Sequence, residues 1–127
     1  TQHTTAHLAS AVDDRLFEIE RLHGEDGARV AAASNAAAID RIEHHVRADG
    51  IDCGFERLDG YLFLRPGDDE TALVQELAAA RRAGLAETEP LPGAPIGGFD
   101  TGPCLRFPRQ GAIHPLRYLA GLARAVE

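Results

Sequence analysis

Lysine, methionine and tryptophan are missing from this chain of 127 residues, and all 13 basic side chains are arginine. Without a lysine amine there is neither a Schiff-base nucleophile nor a Walker-type phosphate loop. Cysteine is limited to Cys53 and Cys104, far apart and with no CxxC. Two such thiols fit buried positions in a reducing compartment better than a disulfide scaffold, so a cytoplasmic location is expected. No apolar run approaches the roughly 20 residues that a membrane span needs. The polar start Thr1-Gln2-His3 lacks the basic-then-apolar order of a secretory leader. An excess of positive charge is lacking too. The net charge of −7 argues against nucleic-acid phosphates or an anionic membrane surface as partners. What remains is 44% hydrophobic and 26% charged residues, a globular composition expected to form one domain over 1–127.

The first half has helical periodicity. Leu8, Val12, Leu16, Ile19 and Leu22 recur every three or four residues, which predicts a helix over 8–23. Gly24 interrupts, and a second helix is expected over 25–49, with Ala28, Ala31, Ala32, Ala38, Ile39, Ile42 and Val46 on its inner face. Gly50 is placed to end it in a left-handed cap. The period then drops to two. Runs at 54–58 and 61–65 flank Asp59-Gly60, a β-hairpin signal because both turn residues tolerate positive φ. That hairpin carries Phe55, Leu62 and Leu64 on one face and Leu58, Tyr61 and Phe63 on the other, so both faces need cover. A further helix is expected over 69–83, with Asp68 as its N-cap and Gly84 as its terminator. Pro90 to Pro103 holds four prolines and four glycines, which excludes a helix or central strand there. A strand over 104–107, with Ala112-Ile113 as a candidate second one, precedes a last helix over 115–127. His114 stands at its N-cap and Pro115 at its first turn. The expected fold class is α+β: three to four helices packed on a small, mostly antiparallel sheet.

Each residue that could carry chemistry has a structural competitor. His3 and His7 stand at i, i+4, a metal spacing if both were helical, but no third ligand matches. His44 and His45 diverge by about 100° on a helix and cannot share one ion, so no metal site is expected. Asp13-Asp14 and Asp68-Asp69 fit a solvated helix face and a helix start. Ser10 and Ser34 lack the Gly-x-Ser-x-Gly setting of a hydrolase elbow. Gly93, Gly97, Gly98 and Gly102 do not form G-x-G-x-x-G and fit a turn-rich loop. Arg106 and Arg109 flank that loop and are placed either to grip a carboxylate in bidentate fashion or to form surface ion pairs.

Several stretches carry a likeness to a known family: Thr4-Thr5-Ala6-His7-Leu8, Gly50-Ile51-Asp52-Cys53-Gly54-Phe55 and Asp59-Gly60-Tyr61-Leu62. The longest is Gly98-Phe99-Asp100-Thr101-Gly102-Pro103 with Leu105-Arg106-Phe107-Pro108, running on to His114-Pro115-Leu116-Arg117-Tyr118-Leu119. In this order and spacing they resemble the FAD-dependent oxidoreductases of the D-amino-acid-oxidase (DAO) superfamily. The nearest subset is the bacterial members with a Rieske-type iron–sulfur domain at their C-terminus. The likeness spans almost all of this chain but a minor part of a typical family member. It implies the middle, substrate-side segment of a parent flavoprotein. That segment would follow the glycine fingerprint that holds the FAD pyrophosphate and end in the helix returning to the FAD domain. On that implication Thr4, Thr5 and His7 lie near the cofactor, and Arg106, Gln110 and His114 lie on the substrate side. For His114 the helix N-cap is the competing role. No catalytic residue is assigned. FAD belongs to the parent, and none is expected on this chain alone, because the fingerprint and the ribose-binding acidic residue are missing. Cys53 and Cys104 have the wrong spacing for Rieske ligands.

Three functional classes follow. One is the substrate-side region of an FAD-dependent amine- or amino-acid-type oxidoreductase, partnered by the FAD-binding domain of the same parent chain and inactive in isolation. The alternative is a non-enzymatic α+β interaction module that associates, as a homo-oligomer, through its apolar hairpin face. A small-molecule binder built on the Pro/Gly loop and Arg106 is a third.

Overall fold

The computed structural model describes residues 4–126. The element order is β1 (His7–Leu8), α1 (Leu16–Ala48), β2 (Glu56–Phe63), α2 (Thr71–Arg82), β3 (Glu89–Leu91), β4 (Cys104–Ala112) and α3 (Pro115–Ala125). His3 and the expected last helical residue, Glu127, lie outside the described residues. The described residues are α+β, with three helices on a four-stranded open sheet. β4 is the spine. β2 pairs along it, while β1 and β3 pair with its two ends, and every pairing is antiparallel.

The expected hairpin is replaced by a single strand. Asp59 and Gly60 lie inside β2, and the partner of both its halves is β4. Gly60 does not take the positive φ that a two-residue turn requires. Glycine is needed there for another reason. A Cβ at Gly60 would stand 3.0 Å from Gln110 Cγ and 3.5 Å from the His7 ring. β4 is also longer than the expected 104–107, because Pro108 falls at a break in the ladder. Leu58 pairs with Gln110 and Gly60 with Phe107, so Asp59 alone faces both Pro108 and Arg109. This is a β-bulge, where a proline's missing N–H costs no rung. Arg109 takes φ 62° there. The apolar residues of the expected hairpin lie instead along β2 and its flanks. Leu62 and Leu64 pack on one core cluster and Phe55 on another, while Phe63, 37% exposed, leans on Phe99.

The helix expected from residue 8 begins only at Leu16. His7 and Leu8 pair instead with Ala112 and Gly111 of β4, and the helical spacing of Leu8, Val12 and Leu16 is a coincidence of two different environments. Leu8 packs beside Ile51 and Ile113, and Val12 beside the first core cluster. The interruption at Gly24 is real: its φ of 74° and ψ of 172° are non-helical within α1. Gly50, at φ 61°, closes α1, with Ile51 N–H bonded to Val46 O. At the start of α2 the capping carboxylate is Asp69, which accepts from Thr71 N at 2.9 Å, while Asp68 accepts from Arg65 N. Pro90, expected to exclude a helix or central strand, sits in β3, an edge strand where proline is tolerated.

Two clusters form the core. Ala28 and Ala32 of α1 meet Ala79 and Ala80 of α2 over Leu105 and Phe107 of β4, small side chains that let the two helices approach closely. Ile51, Cys53 and Ile113 form the second, under Tyr118 and Leu122 of α3. Both cysteines are free and buried, and burial pushes the Cys104 thiol above its ordinary pKa. A thiol reagent is therefore expected to modify neither cysteine rapidly in the native chain and both after denaturation. Rapid labelling of either native thiol would contradict their burial. Among the described residues no helix is long and apolar enough to cross a membrane.

Candidate functional site

Between Leu8 and Leu16 the chain makes an irregular strap, Ala9–Arg15, that crosses the bulged middle of the sheet. The strap is bracketed by strain. Ala6 and Arg15 have φ of 61° and 60°, and with Arg109 in the bulge beneath they are the non-glycine residues of positive φ among those described. Such conformations cost about 1 kcal/mol or more each and concentrate at functional sites. The strap is held at its far end by Glu76 of α2, whose two carboxylate oxygens accept from Leu16 N (3.1 Å) and Phe17 N (3.2 Å). In its middle it is held by Gln110. Ser10 N–H donates to Gln110 Oε1 at 2.6 Å, and Gln110 Nε2 donates to Ser10 Oγ at 2.9 Å and Pro108 O at 2.8 Å.

A cleft of about 270 Å³ opens between strap and sheet. Its walls are His7, the strap residues Asp13 and Arg15, the β2 residues Gly60 and Tyr61, and Phe107 and Gln110 of β4. Of the residues expected from the sequence, His7 and Gln110 are brought together here. Thr4 and Thr5 are exposed at the chain's entry to the strap, where Thr4 Oγ1 accepts from Ala6 N. His114 does not line the cleft. Its Nδ1 accepts from Arg117 N at 3.4 Å and its own N–H donates to Cys53 O, the N-cap geometry.

Arg106 is engaged elsewhere. It donates to Asp59 of β2 at 2.9 Å and to Glu89 of β3 at 2.7 Å, tying three strands together. The hydrogen bond to Asp59 raises the guanidinium pKa, desolvation opposes it, and the hydrogen bond to Glu89 adds to the rise. Arg57 plays a similar part under the bulge, donating to Glu43 and Asp40 of α1 and to Arg109 O. Arg15 differs from both. It is half-buried in the cleft wall and has no ion-pair partner among the described residues. Sequence reasoning missed Arg15, Gly60 and Ser10; Gly60 was masked by its resemblance to a turn and Ser10 by the search for a nucleophile. Among the described residues no group of three His, Cys, Asp or Glu side chains could hold a metal ion.

The sequence profile of the FAD dependent oxidoreductase family, DAO, matches residues 1–127. The chain belongs to that family. No curated protein and no solved structure matches it. Membership in the DAO family implies FAD, and the described residues accommodate the cofactor only in part. The cleft wall of His7 and Tyr61 offers a flat ring one side to lie on, while Gly60 itself is buried under Gln110 and the His7 ring. The nucleotide finds no such cradle. All described strand pairs are antiparallel, so there is no βαβ unit to present a helix N-terminus to a pyrophosphate.

Proposed function

We propose that this chain forms the substrate side of an FAD-dependent amine- or amino-acid-type oxidoreductase, and that the cleft under the strap receives the substrate with its carboxylate on Arg15. The observation that carries this is Arg15: a half-buried arginine with no ion pair among the described residues, in the wall that also holds His7, Asp13 and Tyr61. A guanidinium presents a fork of donors that matches a carboxylate. FAD, when bound, supplies the hydride acceptor. The chain's own residues bind and orient the substrate, and Tyr61, Leu62 and Phe107 limit water around it.

The FAD-binding domain of the same parent chain is the partner on this proposal, and the Rieske-linked subset is the place within the family. The subset rests on the motif likeness from Gly98 to Leu119. The partner is supported by the outer face of α3, where Leu116 and Leu119 are 45% and 47% exposed and Ala120 and Ala123 continue the same stripe. The chain alone then holds no FAD and turns nothing over.

Arg15→Gln in the flavin-loaded parent protein, with its FAD-binding domain, tests this. The flavin spectrum is expected to survive, while KM for a carboxylate-bearing amine rises about 10–100-fold, the value of a charge-assisted hydrogen bond. KM for an amine without the carboxylate stays put. Equal effects on both amines, or a flavin band that no amine bleaches, would overturn the proposal.

A further inference from the structure

Strand pairing explains why the strap needs Gln110. β1 pairs His7 with Ala112 and Leu8 with Gly111. In the same antiparallel register the next positions are Ala9 against Gln110 and Ser10 against Arg109. The ladder stops there. Arg109 is turned into the left-handed region at φ 62°, and its carbonyl accepts from Arg57 Nη1 at 2.6 Å. The main-chain acceptor that Ser10 N–H would have used has been turned away. The Gln110 side chain replaces it. Oε1 accepts from Ser10 N, and Nε2 donates to Ser10 Oγ and back to Pro108 O. One side-chain amide thus bridges the bulge and supplies the missing rung. Gln110 is 2% exposed and Ser10 4%, so water does not compete for these groups.

No other long-range hydrogen bond reaches the strap between Leu8 and Leu16 among the described residues. We infer that Gln110 is a positioning residue. It does not take the ligand itself but, through Ser10, sets the height of the strap above the sheet and so places Arg15 for the carboxylate. This rests on the function proposed above for the cleft. It changes the role that the family likeness implied for Gln110, from a side chain facing flavin or substrate to one whose polar atoms are already occupied by the protein.

The test uses the full chain, labelled for NMR, with acetate as the probe carboxylate. Acetate is expected to shift the resonances of His7, Arg15 and Tyr61. In Gln110→Met, which keeps the volume and removes the rung, the Ser10 amide is expected to exchange with solvent at least tenfold faster. Amides of Leu105 and Ala79 stay protected, and the acetate dissociation constant rises about tenfold, as for one lost buried hydrogen bond. Gln110→Asn, one methylene too short to span the bulge, gives the same result while keeping an amide in place. Faster Ser10 exchange with unchanged acetate affinity would sink the positioning role alone. Acetate that shifts nothing in the unaltered cleft would overturn the assignment of the cleft, and this inference with it.

Discussion

Replacing Glu76 by alanine is expected to lower the stability of the chain by about 2–4 kcal/mol. Glu76 is 1% exposed, and both its oxygens are used at the first turn of α1. A helix begins with N–H groups that have no intrahelical acceptor. Here the residue before the helix, Arg15, has no cap bond to offer, and a carboxylate from another helix does the work. Its negative charge also lies at the positive end of the helix dipole. Alanine leaves two N–H groups without their acceptor in a packed setting and removes the tie between α1 and α2. For a chain of this size the midpoint of thermal unfolding should fall by roughly 10 °C. Glutamine keeps one acceptor but turns an NH2 toward the other donor, so about half of the loss is expected. A change below about 1 kcal/mol in urea unfolding would mean that water or another group caps α1.

Punctuation was legible in the residues; pairing was not. Gly24, Gly50 and Gly84 mark backbone irregularities where the sequence placed them, and His114-Pro115 opens α3 as expected, because each depends on a few neighbouring residues. The Asp59-Gly60 signal misled because a turn propensity knows nothing of a nine-residue strand that follows some forty residues later. β4 offers β2 a full ladder, and a hairpin would have used only half of it. The same blindness extended a helix back to Leu8, whose true partner is Gly111.

The site divides along the same line. His7 and Gln110 were singled out through family likeness, and the fold brings them to one cleft. Arg106 drew attention as a carboxylate holder because its charge is visible in the sequence, whereas Asp59 and Glu89, which engage it, come from separate segments. Arg15 carries no such signal. What distinguishes it is a left-handed backbone and the lack of an ion pair among the described residues, although Asp13 shares its cleft wall. The strap's path is fixed from outside, by Glu76 at one end and Gln110 in the middle.

Gly121→Ala should destabilise the chain although alanine is the better helix former. An added Cβ would lie 2.9 Å from Ile51 Cγ1 and 3.0 Å from its Cβ, and closer still to Cγ2. Ile51 is branched at Cβ and 6% exposed, in the second core cluster, so it cannot swing aside as a long flexible side chain would. Helix propensity favours alanine by about 1 kcal/mol, and overpacking of this kind costs about 1–3 kcal/mol or more. Contact with three side-chain atoms at once puts this site at the upper end, for a net loss of about 2 kcal/mol. If α3 instead lifts off, the His114 N–H bond to Cys53 O, at the helix start, should exchange faster before global unfolding. Ile51→Ala supplies the control. Alone it costs about 2–4 kcal/mol through its cavity, but combined with Gly121→Ala the two losses should fall short of their sum, since the new methyl fills the space vacated. Stabilisation by Gly121→Ala, or strict additivity in the double variant, would show that α3 does not rest on Ile51, and that the orientation of its exposed leucine stripe must be drawn afresh.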